Sequence, residues 1–460
     1  MPAADDLVPL RPRRGPDPTL VAALATAGPR YTSYPPATEF RALPEAPARA
    51  VLAELGRGDA RLGLYVHVPF CRSLCWYCGC NVIPTRDASQ GDAYVDDLVR
   101  EVALLAGALG TRSQVSELAL GGGSPNFLST AAMARLLAAL HASFDLAADA
   151  RLSIELDPRT TDAAQVASLA AAGFRAASLG VQDFAPAVQV AIHRHQSVAQ
   201  TAALVDALRA AGFDDINVDL VYGLPQQTAA SLEQTIAHVI ELAPERVALF
   251  GYAHLPDRLP HQRLVERAGP VPDAHARAAG FLAASAQLQA AGYVAIGLDH
   301  FARPGTPLAE AAASGRLARS FQGYVERRVD ATLGLGTSAI STTPGLIWQA
   351  PTALDAWRAA LDAGQLPIVR GVALTDDDRR RGRIIEALMC DGVVELGAVD
   401  AEPARAFARE LDALDGGPLA IVDRARATVT ATELGRLLIR NVCQVFDART
   451  GDHARFSPTI

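Results

Sequence analysis

Residues 65–81 read Tyr65-Val66-His67-Val68-Pro69-Phe70-Cys71-Arg72-Ser73-Leu74-Cys75-Trp76-Tyr77-Cys78-Gly79-Cys80-Asn81. A short apolar run, 64–68, delivers the chain into a loop carrying four of its six cysteines. Beyond that loop the rhythm repeats. Further apolar runs lie at 117–120, 152–156, 176–179, 216–221 and 247–250. Helix-like stretches separate them near 91–108, 130–143, 162–172, 199–211 and 231–243. Gly173 and Gly212, each followed by Phe, have the pattern of C-terminal helix caps. Strand–helix alternation at this spacing predicts an α/β fold whose parallel sheet has right-handed crossovers. Six units fit a partial or complete β/α barrel; an open doubly wound sheet is the rival architecture.

Outside this region the pattern changes. Residues 1–50 are rich in proline and arginine and read as an N-terminal arm. Residues 51–360 form the expected barrel domain. From 361 to 460 charged helical stretches dominate (375–390, 402–414, 432–440), with a short β segment at 419–422 and 427–430. This predicts a mostly helical C-terminal domain.

Composition limits the function. The formal charge of −8 excludes a general nucleic-acid binder, which needs a basic surface. All 42 basic residues are arginine, a side chain suited to bidentate carboxylate binding. The first residues carry no apolar leader and no stretch reaches a transmembrane length, so a cytoplasmic protein without a membrane span is expected. In a reducing compartment, clustered cysteines favour a metal site over disulfides.

Polar features gather just after successive strands: the cysteine loop, then Gly121-Gly122-Gly123-Ser124, then Glu155 and Asp157, then Gln182 and Asp183, then Asp219. The C-terminal strand ends of a parallel β/α fold line one mouth, so five units deliver candidate ligands to one opening. Thiolates at C-x3-C-x2-C (Cys71, Cys75, Cys78) can hold three irons of a 4Fe–4S cluster and leave the fourth open. Zinc, with Cys80 as a fourth ligand, is the alternative, although structural zinc sites usually pair their cysteines. The glycines permit close backbone approach. Glu155 suits a ribose hydroxyl or ammonium group, and Arg194 a carboxylate. His67, before the loop, reads as a packing or hydrogen-bonding residue.

The cysteine spacing and glycine run resemble the radical S-adenosylmethionine (SAM) superfamily. Further segments narrow the resemblance to the oxygen-independent coproporphyrinogen III dehydrogenase (oxidase) family. These are Arg30-Tyr31-Thr32-Ser33-Tyr34-Pro35, Ser178-Leu179-Gly180-Val181-Gln182-Asp183-Phe184, Val221-Tyr222-Gly223-Leu224-Pro225, Asp299-His300-Phe301-Ala302-Arg303-Pro304 and Phe321-Gln322-Gly323-Tyr324. The resemblance implies a radical SAM partial (β/α)6 TIM-like barrel. It implies a 4Fe–4S cluster on Cys71, Cys75 and Cys78, with Cys80 an extra, non-ligating cysteine. Tyr65, Gly122 and Glu155 resemble positions contacting one SAM molecule. Tyr77, Gly123, Ser124, Gln182, Arg194, Asp219, Ala253 and Ile340 resemble positions contacting SAM, a second molecule included.

The activity so implied is oxidative decarboxylation of two propionates of coproporphyrinogen III to vinyl groups, in haem biosynthesis. A flavodoxin or ferredoxin would reduce the cluster, and a monomer is expected. Arg30 and Arg303 are the sequence's candidates for binding propionates. A haem chaperone and an anaerobic haem-degrading methyltransferase share this superfamily core. The Cys78-Gly79-Cys80 triplet and the Tyr31–Pro35 segment weigh against the chaperone; product analysis separates the methyltransferase.

Overall fold

The computed structural model describes residues 16–451 and 456–460; residues 1–15 of the expected arm lie outside them. Six parallel strands carry the centre: β1 (Leu62–Val68), β2 (Gln114–Gly122), β3 (Asp145–Leu156), β4 (Ala176–Gln182), β5 (Asp215–Tyr222) and β6 (Arg246–Gly251), adjacent in that order. Helices α1 (Ser89–Leu109), α2 (Thr130–Ser143), α3 (Ala163–Ala171), α4 (Val198–Ala210) and α5 (Ala229–Leu242) make the crossovers. A helix Ala274–Ala290 (α6) follows. A seventh parallel strand, β7 (Ala331–Leu335), returns to lie beside β1. Antiparallel strands extend both flanks, giving a 13-stranded sheet whose order does not close on itself.

Local chemistry explains the repeat. Helix α3 ends on Gly173 at φ 94° and α4 on Gly212 at φ 90°, the left-handed region that glycine enters without steric cost. In each case the next residue's amide turns back to a helix carbonyl: Phe174 to Leu169 at 3.1 Å and Phe213 to Leu208 at 3.0 Å. Both phenylalanines are buried. The cap therefore fixes the exit angle and seats an aromatic ring in one step. Gly292-Tyr293 repeats the device after α6, with Tyr293 bonding Leu288 at 3.1 Å.

The strands alternate. On β3, Leu152, Ile154 and Leu156 join the hydrophobic core, while Arg151, Ser153 and Glu155 line an internal cavity. On β5, Ile216, Val218 and Leu220 are core, and Asn217 and Asp219 face the cavity. A period of two thus separates an apolar outer face under the helices from a polar inner face.

The large sheet also reaches past residue 361, where the sequence reading ends the barrel. Strand Arg370–Ala373 pairs with Leu346–Gln349 on one side and with arm residues Arg41–Ala42 on the other. Backbone pairing, which composition does not reveal, sets that boundary. The remaining C-terminal segment combines helix α7 (Asp376–Asp391) with short helices and a three-stranded sheet, 393–395, 428–431 and 420–423. Its own core takes in Tyr31 and Tyr34 of the arm. No helix among the described residues is long and apolar enough to cross a membrane.

Buried Arg440 ties arm and C-terminal segment together. Its guanidinium donates to the carbonyls of Pro29 (2.9 Å), Pro458 (2.9 Å), Ser457 (3.1 Å) and Gly28. Arg440→Met strands several buried carbonyls, each costing about 1–3 kcal/mol. The expected result is a lower melting temperature and rapid proteolytic clipping of the arm before the rest of the chain. Unchanged melting and clipping would show that the arm is held elsewhere.

Candidate active site

The cysteine loop is fastened from several sides before any ligand is considered. Its ends form a two-residue parallel ladder, Phe70–Cys71 against Ile83–Pro84. Inside it, the Cys78 amide bonds the Cys75 carbonyl at 3.1 Å, and the Trp76 amide bonds Ile192 at 3.0 Å. Gln262 donates to Tyr77 O at 2.9 Å, and His261 Nε2 to Cys78 O at 2.7 Å. His67 spans the loop as a strut. Its Nε2 lies 3.0 Å from the Asn81 carbonyl, which can only accept, so Nδ1 accepts from the Tyr65 hydroxyl at 3.2 Å. Burial lowers its pKa, in keeping with a neutral ring.

The glycine run continues the β1–β2 register beyond the strands. The Gly123 amide donates to Val68 O at 2.8 Å and the Ser124 amide to Phe70 O at 2.9 Å. A Cβ on Gly121 would sit 2.8 Å from the Glu155 carboxyl, and one on Gly122 2.5 Å from the His67 ring. One on Gly123 would sit 2.7 Å from the Pro69 carbonyl oxygen. The triplet is the surface on which the root of the cysteine loop rests.

Cys71, Cys75, Cys78, Tyr77, Gly122, Gly123, Ser124, Glu155, Gln182, Arg194 and Asp219 line one cavity of 430 Å³ at the strand ends. Three sites expected from the sequence lie elsewhere. Tyr65 and Ile340 line an adjoining cavity of 890 Å³. Ala253 is tied to the Tyr77 backbone through Gln262, which donates to both carbonyls.

The three thiols of the smaller cavity differ in setting, and burial pushes the Cys71 thiol up to about 12. Arg194 Nη1 is 3.5 Å and Arg159 Nη2 3.7 Å from Cys75 Sγ. Asp157 holds both arginines, at 2.6 Å and 3.3 Å. A hydrogen bond with Cys80 pulls the Cys78 thiol down to about 7. Cys71 Sγ lies 3.7 Å from Ser124 Oγ. Among the described residues, no three His, Cys, Asp or Glu side chains are grouped to hold a single metal ion. Three thiols set apart around one loop suit a cluster that takes each on its own iron.

Glu155 accepts the Gly122 amide at 2.9 Å. It is open to the cavity yet enclosed by protein, and that burial, helped by Asp219, lifts its carboxyl to about 7. Such a group gains most from an incoming cation or donor. Asp219 accepts from Ser178 (2.8 Å) and Asn217 (2.7 Å). Gln182 sits at φ 71°, on a bulge in the β4–β5 pairing. A non-glycine residue held there is a mark of a constrained site.

Sequence reading missed the cavity floor: Arg151, Arg246 and Glu326, with Glu117 and Asn217 on its walls. Asp215 ties the floor together, pairing with Arg151 and, at 2.6 Å, with Arg246. The signal was available, since stepping back by two from Glu155 or Asp219 reaches Ser153 and Arg151, or Asn217 and Asp215. The arginine candidates need correction. Arg30, a third exposed, pairs with buried Asp299 and stacks on Phe250, 5.2 Å from its centroid. Arg303 lies at the opposite, N-terminal end of β6, its amide bonding Glu245. Neither lines either cavity.

Gly123→Ala forces the backbone at Pro69 and Phe70 apart. The reconstituted variant is expected to lose most of its iron and sulfide while keeping wild-type circular dichroism. Gly107→Ala, where a Cβ meets nothing within 4 Å, keeps full iron. A fully loaded Gly123→Ala protein would contradict the clamp.

The radical SAM superfamily model matches residues 65–239. An oxygen-independent coproporphyrinogen III oxidase from Bradyrhizobium diazoefficiens is 43% identical over 427 residues, covering 91% of this chain and 94% of the relative. A protein of the same name from Pseudomonas aeruginosa is 37% identical over 443 residues, with 94% and 95% covered. The solved coproporphyrinogen III oxidase (HemN) of Escherichia coli, described as a radical SAM enzyme, superposes with a TM-score of 0.86 at 38% identity, covering 92% of this chain and 98% of that one. On this similarity across nearly its whole length, the chain belongs to the oxygen-independent coproporphyrinogen III oxidase family of radical SAM enzymes.

Proposed function

We propose that the protein converts coproporphyrinogen III to protoporphyrinogen IX without oxygen, as a radical SAM oxidative decarboxylase. The observation that carries this reading is the junction of two cavities. The smaller gathers three thiols, the glycine edge and Glu155; the larger shares Glu117, Ala119, Gln322 and Val325 with it as common wall. One holds cofactors and the other a substrate of tetrapyrrole size.

The donor set fits a 4Fe–4S cluster on Cys71, Cys75 and Cys78. When bound, the cluster and SAM would supply the radical chemistry that abstracts hydrogen at the β-carbon of a propionate. The remaining work belongs to the chain. Glu155, Gln182 and Asp219 offer acceptors and donors to the sugar and amino groups of SAM, and Arg194 offers a cation to its carboxylate. Gly122 and Gly123 let the backbone approach. Tyr65, with Phe321 edge-on at 5.6 Å, walls the passage toward the larger cavity. Arm residues Tyr31–Tyr34 line that larger cavity and limit water there. Each of the two reacting propionates loses carbon dioxide, with one electron passing to an acceptor, and becomes a vinyl group. A flavodoxin or ferredoxin as donor, a cytoplasmic location and a monomeric state complete the reading.

The test is anaerobic turnover of reconstituted protein with SAM, a strong reductant and coproporphyrinogen III. Protoporphyrin fluorescence after oxidation should depend on SAM, and Cys75→Ser should abolish both cluster and product. Formation of 5′-deoxyadenosine without protoporphyrin would discard this substrate.

A further inference from the structure

The larger cavity contains an arginine that the structure leaves uncommitted. Its 890 Å³ lies within the range of sites that enclose a small-molecule ligand. One wall is aromatic: Tyr65, Tyr34 and Phe321, the last 47% exposed. Helix α7, against which Tyr34 packs, also lines the cavity and contributes Arg379, Arg380 and Arg383.

These cations are not equivalent. Arg379 is paired with Asp376 and bonded to Leu374 O. Arg380 meets Asp377 at 3.3 Å and Asp400 at 3.5 Å. Arg328 is held by Glu386 of α7 at 2.7 Å. Arg383 has no hydrogen-bond or ion-pair partner among the described residues, and its side chain is exposed where the helix borders the cavity.

We propose that Arg383 is a substrate-binding residue that grips a non-reacting carboxylate of the tetrapyrrole. This deepens the proposed function and rests on it. The substrate's only charges are its propionates, and one of them must reach through the shared wall to the smaller cavity. A propionate that stays behind can be held by a fixed cation, and the planar guanidinium fork matches a carboxylate in bidentate fashion. Neither Arg30 nor Arg303 lines this cavity.

Binding of coproporphyrin III and of its tetramethyl ester, followed by fluorescence, tests the charge contact apart from catalysis. Wild-type protein should prefer the acid. Arg383→Ala should weaken acid binding by on the order of tenfold to a hundredfold, leave ester binding unchanged and raise KM with little change in kcat. Arg383→Lys, which keeps charge but not the fork, should fall between. Cluster absorbance and SAM affinity report folding; if the alanine variant loses them, the lysine variant carries the test through its KM. Wild-type KM and acid preference in an intact variant would overturn the proposal. Absence of turnover by wild-type protein would instead overturn the function, while the acid-versus-ester comparison would still decide whether Arg383 binds carboxylates.

Discussion

The structure depends on the close contact between the glycine edge of β2 and the chain leaving β1. Two amides, Gly123 to Val68 and Ser124 to Phe70, extend the parallel ladder past the point where side chains would permit it. Because no Cβ fits there, the cysteine loop rests directly on backbone. The His67 strut, the Ile83–Pro84 ladder and Gln262 then hold the loop's far side. Thiolates that must meet a cluster in fixed geometry are thereby placed before it arrives, which reduces the ordering cost of binding.

A parallel sheet normally hides apolar residues on both faces. Here the inner face is polar, and burying such groups costs free energy unless they are paired. The chain offsets that cost by mutual pairing: Asp215 with Arg151 and Arg246, Asp219 with Ser178 and Asn217, Asp157 with Arg159 and Arg194. Glu155 and Gln182 lie at the strand ends that line the cavity, where ligands arrive.

Much of this was legible in the sequence because it is local. Strand period, Gly-Phe helix ends and the position of polar residues just past each strand are features of a few consecutive residues. Gly173-Phe174 and Gly212-Phe213 cap their helices as expected. What was not legible depends on distant partners. Arg30 is a propionate candidate because it lies in a segment resembling the family, but Asp299 pairs with it across the fold. Ile340 reaches the second cavity only because antiparallel returns bring Ile340–Thr342 beside β7. Arg383 sits in a stretch that reads as one more charged helix face; its distinction is the missing acceptor, visible only in three dimensions.

The central claim is that the two cavities form one working site. Coproporphyrinogen III deuterated at the propionate β-carbons tests it most directly. Single-turnover reaction should place deuterium in 5′-deoxyadenosine as protoporphyrinogen forms. Product formation with unlabelled 5′-deoxyadenosine would contradict the claim that the propionate reaches from the larger cavity to the cofactor.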